Sequence, residues 1–370
     1  MEFDTQAQPW RQIKNLIAAD HMPQSLLLQG PEGTCKLATA RRLAQLLQCE
    51  SPTADGEPCG VCRSCRQHVN FNNIDTFYVY PVVKGDRQTV VSDDFSEQWH
   101  KFLNEGGLIN DFEEWCSLID KKAIPQIYVF EAQNIIRKLS TTSHLSPYKV
   151  GVIWLPELMN EACANKLLKI VEEPYDDVRL IFVSNRPDEI LPTLKSRCQS
   201  IDFAPLTNDI VARWLHENRG LSHDDAVAMA HIADGNLAEA HRLAGSDVKR
   251  TAFLELFIRL MRLAYQRNVG ALRVWAADLH GLGRDANAKF YRYAERMVRE
   301  NFMLNFAQPS LNYLAADEAA FSKNFARFIT ERNVEQLAYE FSSAAKDISA
   351  NGNGKIINFD VALRVILLLK

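Results

Sequence analysis

The stretch from Gly30 to Leu37, with the sequence GPEGTCKL, has the outline of a loop that binds nucleotide phosphates. Such loops follow the pattern G-x-x-x-x-G-K-[S/T], in which the last glycine lets backbone N–H groups close around the phosphates and the hydroxyl holds Mg²⁺. Here Cys35 replaces that glycine and Leu37 replaces the hydroxyl residue. A Cβ atom obstructs the approach of the backbone, and an alkane cannot bind a cation that requires oxygen ligands. We therefore expect no bound nucleotide, with Gly30, Gly33 and Lys36 as remnants of the loop.

Four cysteines, Cys49, Cys59, Cys62 and Cys65, form a second candidate site. The last three follow one another in C-x-x-C steps, and all four fall within seventeen positions, which is typical of a tetrahedral zinc site. Four protein ligands leave no open coordination position, so the predicted Zn²⁺ is structural. The extra thiols argue against a redox dithiol, whereas an iron–sulfur cluster also uses four cysteines and stays open as an alternative. His68 could replace a ligand, but we interpret it as a surface histidine.

A third candidate position lies at the end of the apolar run 149–155, which predicts a buried strand. Nucleotide hydrolases carry at this place the carboxylates that hold Mg²⁺ and position the attacking water. This chain has Trp154 and Leu155 there, and the nearest acid, Glu157, lies beyond a proline. The strand is therefore expected to pack in the hydrophobic core and not to bind a metal ion.

A second apolar run, 178–183, predicts another buried strand and delivers Ser184 and Asn185 to its carboxyl end. Open parallel sheets place the groups that contact ligands at this edge. The tripeptide Ser196-Arg197-Cys198 follows and contains a guanidinium, which suits the recognition of phosphate.

These groups need a sheet and flanking helices to hold them in place. The apolar run from Ser25 to Leu28 predicts a strand before the loop, and the helical spacing of apolar residues from Lys36 onward predicts a helix after it. Asn160 is expected to cap a helix that ends at Glu172-Glu173-Pro174. The predicted fold class is α/β, with a parallel sheet.

Length and composition narrow the classes of protein. A chain of 370 residues corresponds to two or three domains, and its 47% hydrophobic and 24% charged residues are ordinary for a soluble globular protein. No apolar run approaches the ~20 residues that span a bilayer, and the start of the chain is too polar for a signal peptide. We therefore expect a cytoplasmic protein with no membrane contact. A net charge of −4 argues against a DNA-binding surface over the whole chain.

The order of these motifs resembles the AAA+ core of bacterial DNA polymerase III clamp loaders. The similar motifs are a degenerate Walker A loop at 30–37, a zinc module at the four cysteines, a helix ending in L-L-K-x-x-E-E-P at 160–174, sensor 1 at Ser184 and Asn185, and the S-R-C motif at 196–198. Within that family the chain resembles the delta-prime branch, whose members do not hydrolyse ATP. Three departures agree on this: the loop has Cys35 and Leu37, the strand end has Trp154, and Ala238 stands where sensor 2 carries arginine.

The resemblance implies three domains. An AAA+ nucleotide-binding-like domain would span 1–205 and carry the zinc module at 49–65 and an insertion at about 70–124. A small helical lid domain would follow at 206–247, and an α-helical collar domain for oligomerisation at 248–370.

The resemblance also implies a function without independent catalysis. Arg197 would act in trans as an arginine finger on ATP bound to the neighbouring subunit, with Ser196 and Cys198 orienting the turn. The partners would be the clamp-loader ATPase (gamma/tau) and delta subunits in a hetero-pentamer. The sliding clamp and primer–template DNA would be reached through that complex.

Two other interpretations stay open. An ATP-hydrolysing gamma/tau-like subunit with an atypical loop predicts binding of ATP that depends on Mg²⁺. A zinc-dependent DNA-binding module would place Arg63 and Arg66, beside the cysteines, on phosphates, and it predicts salt-dependent DNA binding by the chain alone.

Overall fold

The computed structural model describes most of the chain, namely residues 7–120, 124–245, 247–306 and 313–369. The ends of the first and third predicted domains, 1–6 and 370, lie outside the described residues, as do 121–123 of the predicted insertion.

The chain divides into two compact units. They are Met1–Val211 with Ala233–His241, and Ala212–Ile232 with Arg242–Lys370. The three domains with boundaries after residues 205 and 247 stay a prediction.

A parallel sheet of five strands forms the centre of the first unit. The strands are β1 (Ser25–Gln29), β2 (Thr76–Val79), β3 (Lys149–Trp154), β4 (Val178–Ser184) and β5 (Gln199–Asp202). They lie in the order β2-β3-β4-β1-β5, and every pair is parallel. Gln29 lies opposite Ser184, and Trp154 lies opposite Val183. The carboxyl ends of β1, β3 and β4 therefore meet at one edge, and the predicted α/β class with a parallel sheet is confirmed.

Both faces of the sheet are covered. Successive residues of a strand point to opposite faces, so Leu26 and Leu28 pack in one cluster with Trp154, whereas Leu27 packs in another with Phe182. All five side chains are buried. This explains why the central strands are continuous apolar runs without alternating polar residues.

Eight α-helices precede residue 205 in the described part of the chain. They are α1 (Ala7–Ala18), α2 (Lys36–Leu47), α3 (Arg63–Val69), α4 (Ser96–Gly106), α5 (Phe112–Ile119), α6 (Val129–Leu139), α7 (Glu161–Glu172) and α8 (Pro192–Lys195). The expected cap of α7 is confirmed, because Asn160 Oδ1 accepts a hydrogen bond from the Cys163 N–H at 2.8 Å. The predicted insertion at about 70–124 contains one strand of the sheet, β2, as well as α4 and α5.

The rest of the described chain is helical. Its helices are α9 (Asn208–Arg219), α10 (His223–Ala233), α11 (Leu237–Ala244), α12 (Asp247–Tyr265), α13 (Val269–Gly281), α14 (Arg284–Leu304), α15 (Ala316–Phe325), α16 (Val334–Ser349) and α17 (Gly354–Leu368). The core of the second unit includes Phe257, Trp275, Tyr291, Phe341 and Val365, all fully buried. Among the described residues, no helix combines the length and the apolar composition needed to cross a bilayer.

Candidate functional site

The loop that resembles a phosphate-binding loop connects β1 to α2 and is filled by its own lysine. Lys36 Nζ donates hydrogen bonds to the carbonyl oxygen of Gly30 at 2.8 Å, to that of Pro31, and to Thr34 Oγ1 at 3.1 Å. The ammonium group, which meets phosphate oxygens in loops that bind nucleotides, thus has three oxygen partners within the loop. Its donors are satisfied without a ligand.

The charge of Lys36 is influenced by its surroundings. Only 3% of the residue is exposed, and this burial lowers the pKa of Lys36 to about 8, although Glu157 and Glu32 act to raise it. The pKa still lies above neutral pH, so the ammonium form predominates there.

The loop also lies against the start of α11. The Leu237 N–H donates to the carbonyl oxygen of Gly33 at 3.1 Å, and Asn236 Oδ1 accepts from the Glu239 N–H at 3.0 Å. Ala238, at the position that resembles sensor 2, is 1% exposed. A small side chain therefore occupies the place where the resemblance would put an arginine.

Gly33 is expected to tolerate no side chain. Its φ is +74°, and an added Cβ would lie 1.9 Å from Asn236 Oδ1 and 2.8 Å from the Leu237 nitrogen. Gly33→Ala should therefore lower the free energy of unfolding by about 2 to 3 kcal/mol, since left-handed strain and a clash with backbone add. The matched control is Gly220→Ala, because Gly220 has a φ of +65° and nothing within 4 Å of the added Cβ. Urea denaturation measures both, and equal losses would contradict the close packing of the loop.

The space directly beside the loop is narrow. A cavity of about 20 Å³ remains there, lined by loop residues 33–37, by residues at the ends of β3 and β4, and by residues 108–110. This volume holds about one water molecule, whereas small-molecule sites typically measure about 300 Å³ or more. The lining, within the described part of the chain, includes neither Arg197 nor the four cysteines.

The carboxyl ends of β3 and β4 are joined by Glu157. Glu157 Oε1 accepts hydrogen bonds from the backbone N–H groups of Asn185 at 2.9 Å and Arg186 at 3.1 Å. Trp154 at the end of β3 is 2% exposed, and Ser184 at the end of β4 is fully buried. The structure therefore brings Lys36, Trp154 and Asn185 to one edge of the sheet. At this edge Glu157 accepts hydrogen bonds from backbone N–H groups, and the end of β3 carries no carboxylate.

Two features of this edge were not predicted from the sequence. The first is the role of Glu157 as a hydrogen-bond acceptor, which its position just after a predicted strand could have indicated. The approach of residues 108–110 to the loop has no counterpart in the sequence, because their packing depends on contacts about seventy positions apart.

The four cysteines meet in one cluster. The Sγ atoms of Cys49, Cys59, Cys62 and Cys65 all lie within 4.8 Å of one another, and all four thiols are free of disulfides. Cys59 Sγ and Cys65 Sγ are 3.9 Å apart, close to the separation of about 3.8 Å that Zn–S bonds of about 2.3 Å give in a tetrahedron. The residues present therefore fit a Zn²⁺ ion with four sulfur ligands.

Backbone groups of the cluster favour thiolates. Cys49 Sγ accepts from the Cys59 N–H at 3.3 Å, Cys59 Sγ from the Cys62 N–H at 3.3 Å, and Cys62 Sγ from the Cys65 N–H at 3.4 Å. Hydrogen bonds from the N–H groups of Cys62 and Val61 lower the pKa of Cys59 to about 6, whereas burial raises the pKa of Cys49 and of Cys65. Thiolates are the form that binds metal.

The cluster is fastened to the first unit by Glu57. Its carboxylate accepts hydrogen bonds from Trp10 Nε1 at 2.8 Å, Lys14 Nζ at 3.0 Å and Arg42 Nη2 at 2.5 Å. These contacts join the cysteine loop to α1 and α2.

His68 differs from the prediction of a surface histidine. The residue is 8% exposed, and its Nε2 lies 2.6 Å from Gln48 Oε1. Burial and the nearby Arg41 lower the pKa of His68 to about 4, so the ring is neutral at pH 7. The prediction was wrong because α3 is short, and its last turn, which contains His68, packs against the end of α2.

The S-R-C tripeptide forms the turn after α8. Arg197 Nη2 lies 2.5 Å from Glu172 Oε1, and Arg197 Nη1 donates to the Thr193 carbonyl oxygen at 2.6 Å. About a third of the arginine side chain, 35%, is exposed. Ser196 Oγ donates to the same carbonyl oxygen at 3.2 Å, and Cys198 Sγ donates to that of Leu194 at 3.4 Å. The two flanking residues thus hold the turn, while the guanidinium stays accessible beside the end of α7.

The chain is similar in sequence to subunits of DNA polymerase III. The delta-prime subunit of DNA polymerase III from Pseudomonas aeruginosa is 28% identical over 247 residues, which are 65% of this chain and 62% of that protein. The delta-prime subunit from Bacillus subtilis is 27% identical over 69% of this chain and 64% of its own. The gamma/tau subunit from Mycobacterium tuberculosis is 29% identical over 56% of this chain and 30% of its own.

The delta-prime relatives named here are thus matched over less than two thirds of their own length. Among solved structures, a gamma subunit-related protein of DNA polymerase III from Thermotoga maritima aligns over 98% of this chain and 100% of its own, with 12% identity and a TM-score of 0.45. The sequence profile of the family described as DNA polymerase III, delta subunit, matches residues 5–207, more than half of the 370 residues. The chain therefore belongs to this clamp-loader family of DNA polymerase III subunits.

Proposed function

We propose that the chain is a delta-prime-type stator subunit of the bacterial clamp loader, which helps to load the sliding clamp onto primed DNA without hydrolysing ATP itself. The observation that carries the proposal is the state of the loop, in which Lys36 binds the carbonyl oxygens of Gly30 and Pro31 beside a cavity of about 20 Å³. A hydrolase needs this lysine for phosphate and an oxygen ligand for Mg²⁺ at position 37.

Arg197 gives the subunit its part in ATP hydrolysis. A guanidinium is permanently charged and planar, so in trans it can stabilise charge that develops on the γ-phosphate of a neighbour's ATP. The partial exposure of Arg197 and the fixed turn around it support this role. In the isolated subunit Glu172 is its partner, and a neighbour's phosphate would compete with that carboxylate.

The other parts of the chain serve assembly in this proposal. The cysteine cluster holds one structural Zn²⁺, and the helices of the second unit form the collar through which the subunit joins the gamma/tau and delta subunits in a hetero-pentamer. ATP is bound by the neighbouring subunit, DNA and the sliding clamp are contacted by the whole complex, and the site of action is the cytoplasm.

A second candidate is an ATP-hydrolysing gamma/tau-like subunit, which the 29% identity to the Mycobacterium tuberculosis gamma/tau subunit supports. Cys35, Leu37 and Trp154 weigh against it, because each replaces a group that serves the triphosphate or its Mg²⁺. Binding of Mg·ATP by the purified chain separates the two candidates.

Reconstitution tests the proposed role. Mixed with gamma/tau and delta subunits from the same cell, the chain should co-elute in one complex that loads the sliding clamp onto primed DNA. Omission of the chain should lower clamp loading to the level seen without a loader. Full loading in its absence, or a chain that elutes alone, would refute the proposed role.

A further inference from the structure

The segment that contains α4 and α5 has no role in the function proposed above. We propose that the connection between these helices, residues 107–111, is a plug of the degenerate nucleotide site, and that it excludes nucleotide independently of the changes at Cys35 and Leu37. We call residues 107–111 the plug. The proposal concerns the first unit alone and does not depend on the assembly role.

The plug first supplies part of the wall of the cavity. Leu108, Ile109 and Asn110 face loop residues 33–37, and only about 20 Å³ is left between them. Ile109 is 6% exposed. An apolar side chain thus occupies space beside the very residues that approach phosphates in an active site of this type.

Hydrogen bonds fasten both ends of the plug to the nucleotide loop and to α2. After the plug, the Phe112 N–H donates to Glu32 Oε1 of the loop at 3.3 Å. At the start of the plug, Arg41 Nη1 of α2 donates to the carbonyl oxygen of Gly107 at 3.5 Å and to that of Leu103 at 3.3 Å. Asp111, the last plug residue, caps α5 by accepting from the Glu113 N–H at 2.8 Å. The plug is therefore held on each side by the elements that would surround a nucleotide.

Aromatic packing anchors the segment to the end of β3. Ring centroids of Trp99 and Phe102 from α4 lie 5.4 Å and 5.3 Å from that of Trp154, and Trp115 from α5 lies 5.3 Å from Trp99. Trp99, Phe102 and Trp115 are each at most 1% exposed. Trp154 stands where a hydrolase carries its metal-binding carboxylate, so the residue that removes the metal site also provides the surface on which the segment packs.

The plug should lower the apparent affinity of the chain for nucleotide. Nucleotide could enter only when the plug opens, so its apparent affinity would be reduced by the fraction of molecules that are open. Repair of the loop sequence alone should then fail to restore binding.

The test separates the loop sequence from the plug. The variant Cys35→Gly/Leu37→Thr repairs the loop, and Cys35 already has a φ of +59° that suits glycine. A second variant adds Leu108→Gly/Ile109→Gly/Asn110→Gly to open the plug. Titrated with mant-ATP and Mg²⁺, the opened and repaired chain should bind at least about tenfold more tightly than the repaired chain. Equal affinity of the two, whether both bind or neither binds, overturns the proposal.

A second measurement uses the unrepaired chain, so it does not depend on folding of the repaired variants. Cys35 is 7% exposed, and its alkylation by iodoacetamide can be followed by mass spectrometry of the peptide that contains it. In the native chain Cys35 should be protected, and Ile109→Ala should raise its alkylation rate by about tenfold or more.

The matched control changes the exposed positions Asp86, Gln88 and Thr89 to glycine, which leaves the plug intact. This control should alkylate Cys35 at the native rate. Rapid alkylation of Cys35 in the native chain, or an unchanged rate in Ile109→Ala, would show that the plug does not close the site.

Discussion

Arg197→Ala is expected to slow ATP hydrolysis at the adjoining site of a reconstituted complex by about 10³-fold, the lower end of what arginine fingers contribute. The substitution removes the charge that would stabilise the γ-phosphate in the transition state. Single-turnover ATP hydrolysis by the assembled complex measures the effect. The amplitude of its fast phase should fall, because the ATP site that faces Arg197 becomes slow. Arg197→Lys should be slow as well, since an ammonium lacks the planar fork of donors.

The matched control for this experiment is Arg186→Ala. Arg186 is also on the surface and pairs with Glu189 at 2.9 Å, but it lies outside the S-R-C turn. It should leave hydrolysis unchanged. Loss of the exposed Arg197–Glu172 ion pair changes stability by only about 0 to 1 kcal/mol, so unfolding does not explain the expected defect. Unaltered hydrolysis in Arg197→Ala would refute the arginine finger.

Cys62→Ser is expected to abolish stoichiometric zinc binding and to lower the free energy of unfolding by about 4 kcal/mol or more, because metal binding and folding are coupled. Cys62 is the N-cap residue of α3, and Cys65 within that helix is fully buried. Without the metal, the cysteine loop loses the bonds that hold it together. Metal analysis of the purified protein and urea denaturation measure the two effects.

Cys116→Ser is the matched control, since Cys116 lies on α5 and outside the cluster. It should keep one zinc per chain. Full zinc content in Cys62→Ser, or iron with visible absorption in the native protein, would contradict the structural zinc site.

Local sequence was sufficient for the elements that carry the nucleotide loop. The strands at 25–29, 149–154 and 178–184 are apolar because both faces of the sheet are covered, which makes them easy to recognise. The cap at Asn160 and the cysteine spacing are likewise local signals with a direct physical cause.

Features that depend on distant contacts were not predictable. β2 has only four residues, with alternating burial, and its neighbour β3 lies about seventy positions away along the chain. The burial of His68 depends on the packing of a short helix against Gln48. The sequence around Lys36 predicts that no nucleotide is bound, but only the fold shows that the lysine binds its own loop beside residues 108–110.

Titration of the purified chain with Mg·ATP by isothermal calorimetry tests the central claim most directly, namely that this nucleotide-type fold no longer holds a nucleotide. The account predicts no saturable heat up to about 1 mM ATP, which corresponds to binding weaker than about 4 kcal/mol. Saturable binding of one Mg·ATP with a Kd of about 1 μM would contradict it, because that affinity requires a lysine free to bind phosphate and an oxygen ligand for Mg²⁺, whereas Lys36 binds its own loop and position 37 is leucine.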